Sequence, residues 1–152
     1  MYAATLFLHS LIRWIVLALA LVVVFRAFRS SSTPWSVADD RVAGWFVRGL
    51  DLQILLGLIL YLLLSPIPRA ALHDFGGAMH DPLLRFFILE HPFGMIVSVA
   101  LAHIGFERAR GATDPVRKRR LARIFFSLSL LIMLASIPWP GLPYGRALLR
   151  MP

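Results

Sequence analysis

The sequence predicts an all-α integral membrane protein: four transmembrane helices in an up-down-up-down bundle, with both termini outside. Three observations carry that expectation. The 152 residues are 59% hydrophobic and only 16% charged, whereas soluble domains are about half apolar and a quarter charged. Four stretches, at about 6–25, 43–64, 86–106 and 121–138, approach the ~20 apolar residues that a spanning helix needs. Finally, Lys and Arg are unevenly shared between the connections. Eleven lie in the first and third connections (roughly 26–48 and 108–123), against four in the second connection and the C-terminal tail. Basic residues collect on the cytoplasmic side, which places those two connections inside. The whole chain then forms a single four-span domain with no soluble part.

The first span opens almost at once after Met1-Tyr2-Ala3 and carries His9, Ser10 and Arg13. It lacks the basic leader and small-residue cleavage site of a signal peptide, so it is expected to be retained. Ser36-Val37-Ala38-Asp39 reads as a capping box that starts the second helix as an amphipathic segment before it enters lipid. Asp51 and Gln53 interrupt the otherwise apolar second span, which stops at Ser65-Pro66-Ile67-Pro68. The outer connection holds His73-Asp74 and His80-Asp81 around Gly76-Gly77. Two His-Asp pairs raise the question of a divalent metal, but the glycine pair is expected to interrupt any helix there, leaving an interfacial loop over the bundle mouth. Asp81-Pro82 and Asp114-Pro115 each give a cap followed by proline at the first helical position, starting the third and fourth helices. Pro92 is expected to kink the third, with Gly94 beside it either opening space or allowing close packing. The fourth ends at Pro138-Trp139-Pro140-Gly141, and the tail beyond is suited to draping over a partner. Trp45, Tyr61 and Trp139 fall near the interfaces, where amphipathic rings are favoured.

Composition excludes several functions. Without cysteine, disulfides, iron–sulfur clusters, thiolate haem ligation and covalent haem attachment are ruled out. The net charge of +8 does not point to nucleic acid, because seven of the sixteen basic residues lie between Arg108 and Arg123, flanking two spans. No nucleophile–base pair, phosphate loop or dinucleotide fingerprint is present, so no enzyme acting alone is expected.

The chemistry concentrates on residues that lipid tolerates poorly. His9 lies about four residues into its span and His91 about five, roughly 6–8 Å deep at about 1.5 Å per residue. Both enter from the outer side, so a small bundle can bring the two imidazoles to one level. Two imidazoles on separate helices facing a shared gap are what a bis-histidine haem b requires, and neutral imidazole suits haem iron. His103 lies twelve residues after His91 and cannot share that haem, so one haem is the most this arrangement holds. His103 is instead expected to be an interfacial or packing residue. Arg13 falls on the same helix face as His9 and needs a partner: Glu90, Asp51 or a haem propionate. Three readings stay open from the residues alone: haem ligation by His9 and His91, a purely structural set of polar contacts, and a quinone pocket or proton path through Asp51, Gln53 and Arg13.

Several segments in order resemble small bacterial four-helix membrane proteins labelled cytochrome b-like. They are Leu8-His9-Ser10-Leu11-Ile12-Arg13-Trp14, the run from Gln53 to Tyr61, Glu90-His91-Pro92, His103-Ile104-Gly105 and Ile137-Pro138-Trp139-Pro140. The resemblance implies a haem-bearing or electron-transfer-associated subunit, with His9, Arg13, Glu90 and His91 in motif positions. The paired, evenly spaced histidines of diheme cytochromes b are missing. The resulting expectation is a multi-pass subunit of a bacterial cytoplasmic membrane, contacting lipid and other membrane subunits of an electron-transfer complex. His9 and His91 would be the axial ligands of one haem b, Arg13 a propionate partner, and Glu90 would orient an imidazole. The alternative is a cofactor-free accessory subunit of a larger respiratory or photosynthetic complex, contacting a pigment or quinone.

Overall fold

Side-chain caps open the helices where the sequence puts them. In the computed structural model, which describes residues 1–29 and 35–148, Ser36 and Asp39 form the complete capping box of α2 (Val37–Ile59). Asp81 accepts from the backbone N–H groups of Leu83 and Leu84 at the start of α5 (Pro82–Arg85). Asp114 does the same for Val116 and Arg117 at α7 (Pro115–Ala135). The remaining helices are α1 (Tyr2–Ala27), α3 (Pro66–His73), α4 (Phe75–His80) and α6 (His91–Gly111). Two single π turns complete the set: Leu60–Leu64 prolongs α2, and Phe86–Glu90 joins α5 to α6. No strand occurs among the described residues.

Three helical segments are long and apolar enough to cross a membrane: Tyr2–Ala27, Val37–Leu64 and Pro82–Gly111. This is the pattern of a helical membrane protein. The fourth expected span, 121–138, is not among them. α7 spends its first turns on Arg117, Lys118, Arg119, Arg120 and Arg123, and its helix ends at Ala135, so too few apolar residues remain on one continuous helix.

α1 packs against α2 and α7, and α6 packs against α2 and α7. Small residues make these approaches close, as is usual where helices associate without a hydrophobic drive between them. Ala20, Ala27, Ala102 and Ala122 are fully or almost fully buried. Phe46 and Phe126 meet edge to face across the centre, with ring centres 6.0 Å apart. On α6 and α7, Ser98 and Ser129 exchange hydrogen bonds through their hydroxyls and each other's carbonyls, at 2.9–3.0 Å. Gly94 settles as a packing glycine: a side-chain carbon there would fall 2.0 Å from Ser136 Oγ.

Two local expectations are corrected, at Gly76-Gly77 and in the tail, and Pro92 is placed. Gly76-Gly77 does not interrupt a helix; it lies inside α4, whose start is held by the Asp74 carboxylate accepting from Gly77 N–H at 2.8 Å. Pro92 sits in the first turn of α6, directly after the π turn. The helix runs on through this point from Pro82 to Gly111, so Pro92 removes one backbone hydrogen bond inside it, beside the irregular π turn. The tail does not extend away. Gly141 adopts a positive φ of 91°, a conformation that favours glycine. Beyond it the chain folds back: Tyr144 stacks on Phe86 at 3.8 Å, and the Leu148 carbonyl accepts from Ser10, Arg13 and Trp14 of α1. The last four residues of that tail lie outside the described residues.

Candidate functional site

α1, α2, α6 and the returning tail enclose a cavity of about 450 Å³, within the size range of cofactor and small-ligand sites. Its wall is largely aliphatic, and the polar groups reaching it are few: His9, Ser10, Arg13, Gln53, Tyr61, His91 and Arg146 are the principal ones. Leu58 and Leu62 on the α2 side, with Phe93 and Ile96 on α6, line the cavity and are also exposed on the outer surface. They make a side opening between the two helices. Both π turns contribute wall residues, among them Tyr61 and Leu62 from one and Phe87 and Ile88 from the other. Single π turns recur at functional sites.

His9 and His91 face each other in this space, with ring centres 6.4 Å apart and ring planes at 74°. His9 lies in the second turn of α1, with Gly57 opposite, where a side-chain carbon would sit 3.5 Å from His9 Cε1. Gln53 donates from Nε2 to the His9 carbonyl at 2.8 Å, tying α2 to α1 at this level. Two buried polar atoms here, His9 Nδ1 and Gln53 Oε1, have no hydrogen-bond partner among the described residues. His91 is flanked by Phe86 and Phe87, with ring centres at 5.8 and 6.1 Å.

His91 Nδ1 lies 2.7 Å from the Ser136 carbonyl oxygen. A carbonyl only accepts, so Nδ1 carries the hydrogen and, in the neutral ring, Nε2 keeps the free lone pair. Metal-ligating histidines commonly donate their other ring N–H in this way. The ring-centre separation and angle are those of an edge-to-face pair, and each imidazole could give one nitrogen donor to a metal held between them. No group of three or more His, Cys, Asp or Glu able to hold a metal occurs among the described residues. Two imidazole nitrogens are thus what this pair could offer a metal, fewer than the four ligands of a structural zinc site.

The other expected site residues go elsewhere. Arg13 lines the cavity, but its guanidinium donates to the Leu148 carbonyl, and neither Glu90 nor Asp51 is its partner. Glu90 turns away from both imidazoles and pairs with Arg85 at 2.7 Å, half exposed; the Ser136 carbonyl takes the orienting role expected of it. Asp51 pairs with His103 at 2.7 Å on the outer surface, both side chains about half exposed. His103 is thus well removed from the His9–His91 pair in role. His73 and His80 end α3 and α4 and belong to no metal-holding group among the described residues. Ser136 and Gly57 were not singled out by sequence reasoning. Ser136 acts through its backbone, which leaves no compositional mark, whereas Gly57 alone in a leucine-rich run was a legible signal of close approach. Comparison with protein-family models, curated proteins and solved structures finds no match.

Proposed function

We propose that this chain is a small cytochrome b-like membrane subunit serving electron transfer, holding one haem b between His9 and His91. In this reading the chain forms a four-span, up-down-up-down bundle in a bacterial inner membrane, with both termini and the cavity at the outer face. α7 completes its crossing through the non-helical Ser136–Trp139 extension. The observation that carries the proposal is the pair of imidazoles from separate helices, 6.4 Å apart, across an apolar cavity. A bound haem supplies reversible one-electron chemistry to iron. The protein's part is to present two nitrogen donors at fixed separation and to keep water away. His91 is oriented by the Ser136 carbonyl, and hydrogen bonding at Nδ1 raises the basicity of Nε2. The backbone of His9 is tied to α2 by Gln53, and Gly57 lies opposite its ring. Arg13, whose guanidinium lines the cavity wall as that of Arg146 also does, offers positive charge to a propionate.

The test is optical. Protein purified from haem-supplied cells should give a reduced-minus-oxidised α-band of haem b, which His9→Ala and His91→Ala each abolish while His103→Ala leaves it intact. A colourless preparation, or equal loss from all three substitutions, overturns the reading.

One observation favours a second reading, the accessory subunit of a larger respiratory or photosynthetic complex. The Asp51–His103 pair is half exposed on the surface of two membrane-length helices. Ionisable groups are costly against lipid, so this surface suits contact with another membrane subunit. Colourless protein that co-purifies stoichiometrically with a membrane complex would select this reading over the first.

A further inference from the structure

A second hollow lies at the other end of the molecule, where α6 turns into α7. It has a volume of about 250 Å³ and is lined by Arg108, Gly111, Ala112, Thr113, Arg117 and Leu121. Two guanidinium groups and no carboxylate form that lining. The two acidic residues of the turn are occupied elsewhere: Glu107 faces Arg110 at 3.8 Å, and Asp114 caps α7 through the N–H groups of Val116 and Arg117.

Five of the seven basic residues between Arg108 and Arg123 fall into two sets. Lys118 reaches Asp40, Arg119 donates to the Arg29 carbonyl and Arg123 to the Ala27 carbonyl. Those three tie α7 to α1 and α2. Arg108 and Arg117 face the cleft instead, and Arg108 is steadied by the Phe125 ring, 5.8 Å from its guanidinium carbon. From Leu121, the apolar member of the lining, an exposed stripe continues along α7 through Ile124, Leu128 and Leu131. That spacing of three and four residues keeps one helix face.

We propose that this cleft binds the phosphate of an anionic phospholipid, with an acyl chain lying along the Leu121–Leu131 stripe. Guanidinium groups match phosphate oxygens in a bidentate manner, and basic pockets between membrane helices take acidic head groups. The apolar stripe distinguishes a lipid from a free anion, because inorganic phosphate would use the two arginines and leave the stripe bare. The site is at the opposite end of α6 from His91 and does not depend on what fills the main cavity.

The experiment uses full-length protein in a neutral detergent, titrated separately with phosphatidylglycerol, phosphatidylcholine and inorganic phosphate, with bound lipid counted by native mass spectrometry. Phosphatidylglycerol should bind at least tenfold more tightly than phosphatidylcholine, and millimolar phosphate should not displace it. Arg108→Gln with Arg117→Gln should lose about tenfold in phosphatidylglycerol affinity, while Arg110→Gln, outside the cleft, stays within twofold. If the double variant fails to fold, Arg117→Gln alone should still lose several-fold. Equal binding of the two lipids, ready displacement by phosphate, or cleft variants that match the unsubstituted protein would each overturn the proposal.

Discussion

Asp39 is 1% exposed, and its carboxylate accepts from Arg26, Arg29 and both the backbone and hydroxyl of Ser36. Removing it leaves two guanidinium groups without their shared anion and also destroys the capping box. Asp39→Ala should therefore lower stability by about 2–3 kcal/mol. Its neighbour Asp40 pairs with Lys118 and Trp35 in a more exposed setting, and Asp40→Ala should cost about 1 kcal/mol or less. Thermal unfolding in detergent ranks the two, and an equal loss would count against the buried network. Single residues also show what sequence could and could not reveal. His9 and His91 stood out because an imidazole in lipid is expensive. Glu90 and Asp51, two of the partners expected for Arg13, pair instead with Arg85 and His103, because spacing fixes depth along a helix but not how neighbouring helices are rotated. Asp51 shares its level with Arg13's reach in sequence terms, yet faces outward to His103.

Among the elements, α6 and α7 make the closest pair. A side-chain carbon on Gly105 would fall 2.4 Å from Phe125 Cβ, an atom next to the backbone that cannot swing aside. Gly105→Ala should destabilise by about 1–3 kcal/mol through overpacking, measured by thermal denaturation. Gly111, six residues on, meets nothing within 4 Å, and Gly111→Ala should change stability by about 0.5 kcal/mol or less; similar losses at both would argue against the close α6–α7 approach. Helix starts at Ser36, Asp81 and Asp114 were legible because a short side chain must accept the first orphan N–H groups. The π turns were not legible: Leu-Tyr-Leu-Leu-Leu and Phe-Phe-Ile-Leu-Glu carry no composition that separates them from an ordinary helix. α4 escaped notice because Asp74 compensates for the low helix propensity of two glycines.

At the level of the whole molecule, the apolar spans were readable from length and hydropathy; the shortfall of α7 lies in the basic residues of its first turns, while the infolded tail was set by packing. The proposed orientation rests on Lys and Arg placement and is directly measurable, since the chain has no cysteine to give background labelling. In spheroplasts, Leu72→Cys on α3 should react with a membrane-impermeant maleimide, whereas Thr113→Cys in the α6–α7 turn should react only after permeabilisation. The reverse pattern would invert the bundle and place the His9–His91 cavity on the cytoplasmic side.

A π turn is an α-helix carrying one surplus residue, so each cavity wall owes part of its outline to an insertion of a single amino acid. Deleting Leu62 or Leu89 should let the ladder revert to i→i−4 bonding, which removes the bulge and re-aims the wall residues of that turn while the flanking stretches of helix keep nearly the same relative orientation. The hollow is thus adjustable in quantised steps, one codon at a time, without disturbing the capped starts of the helices around it.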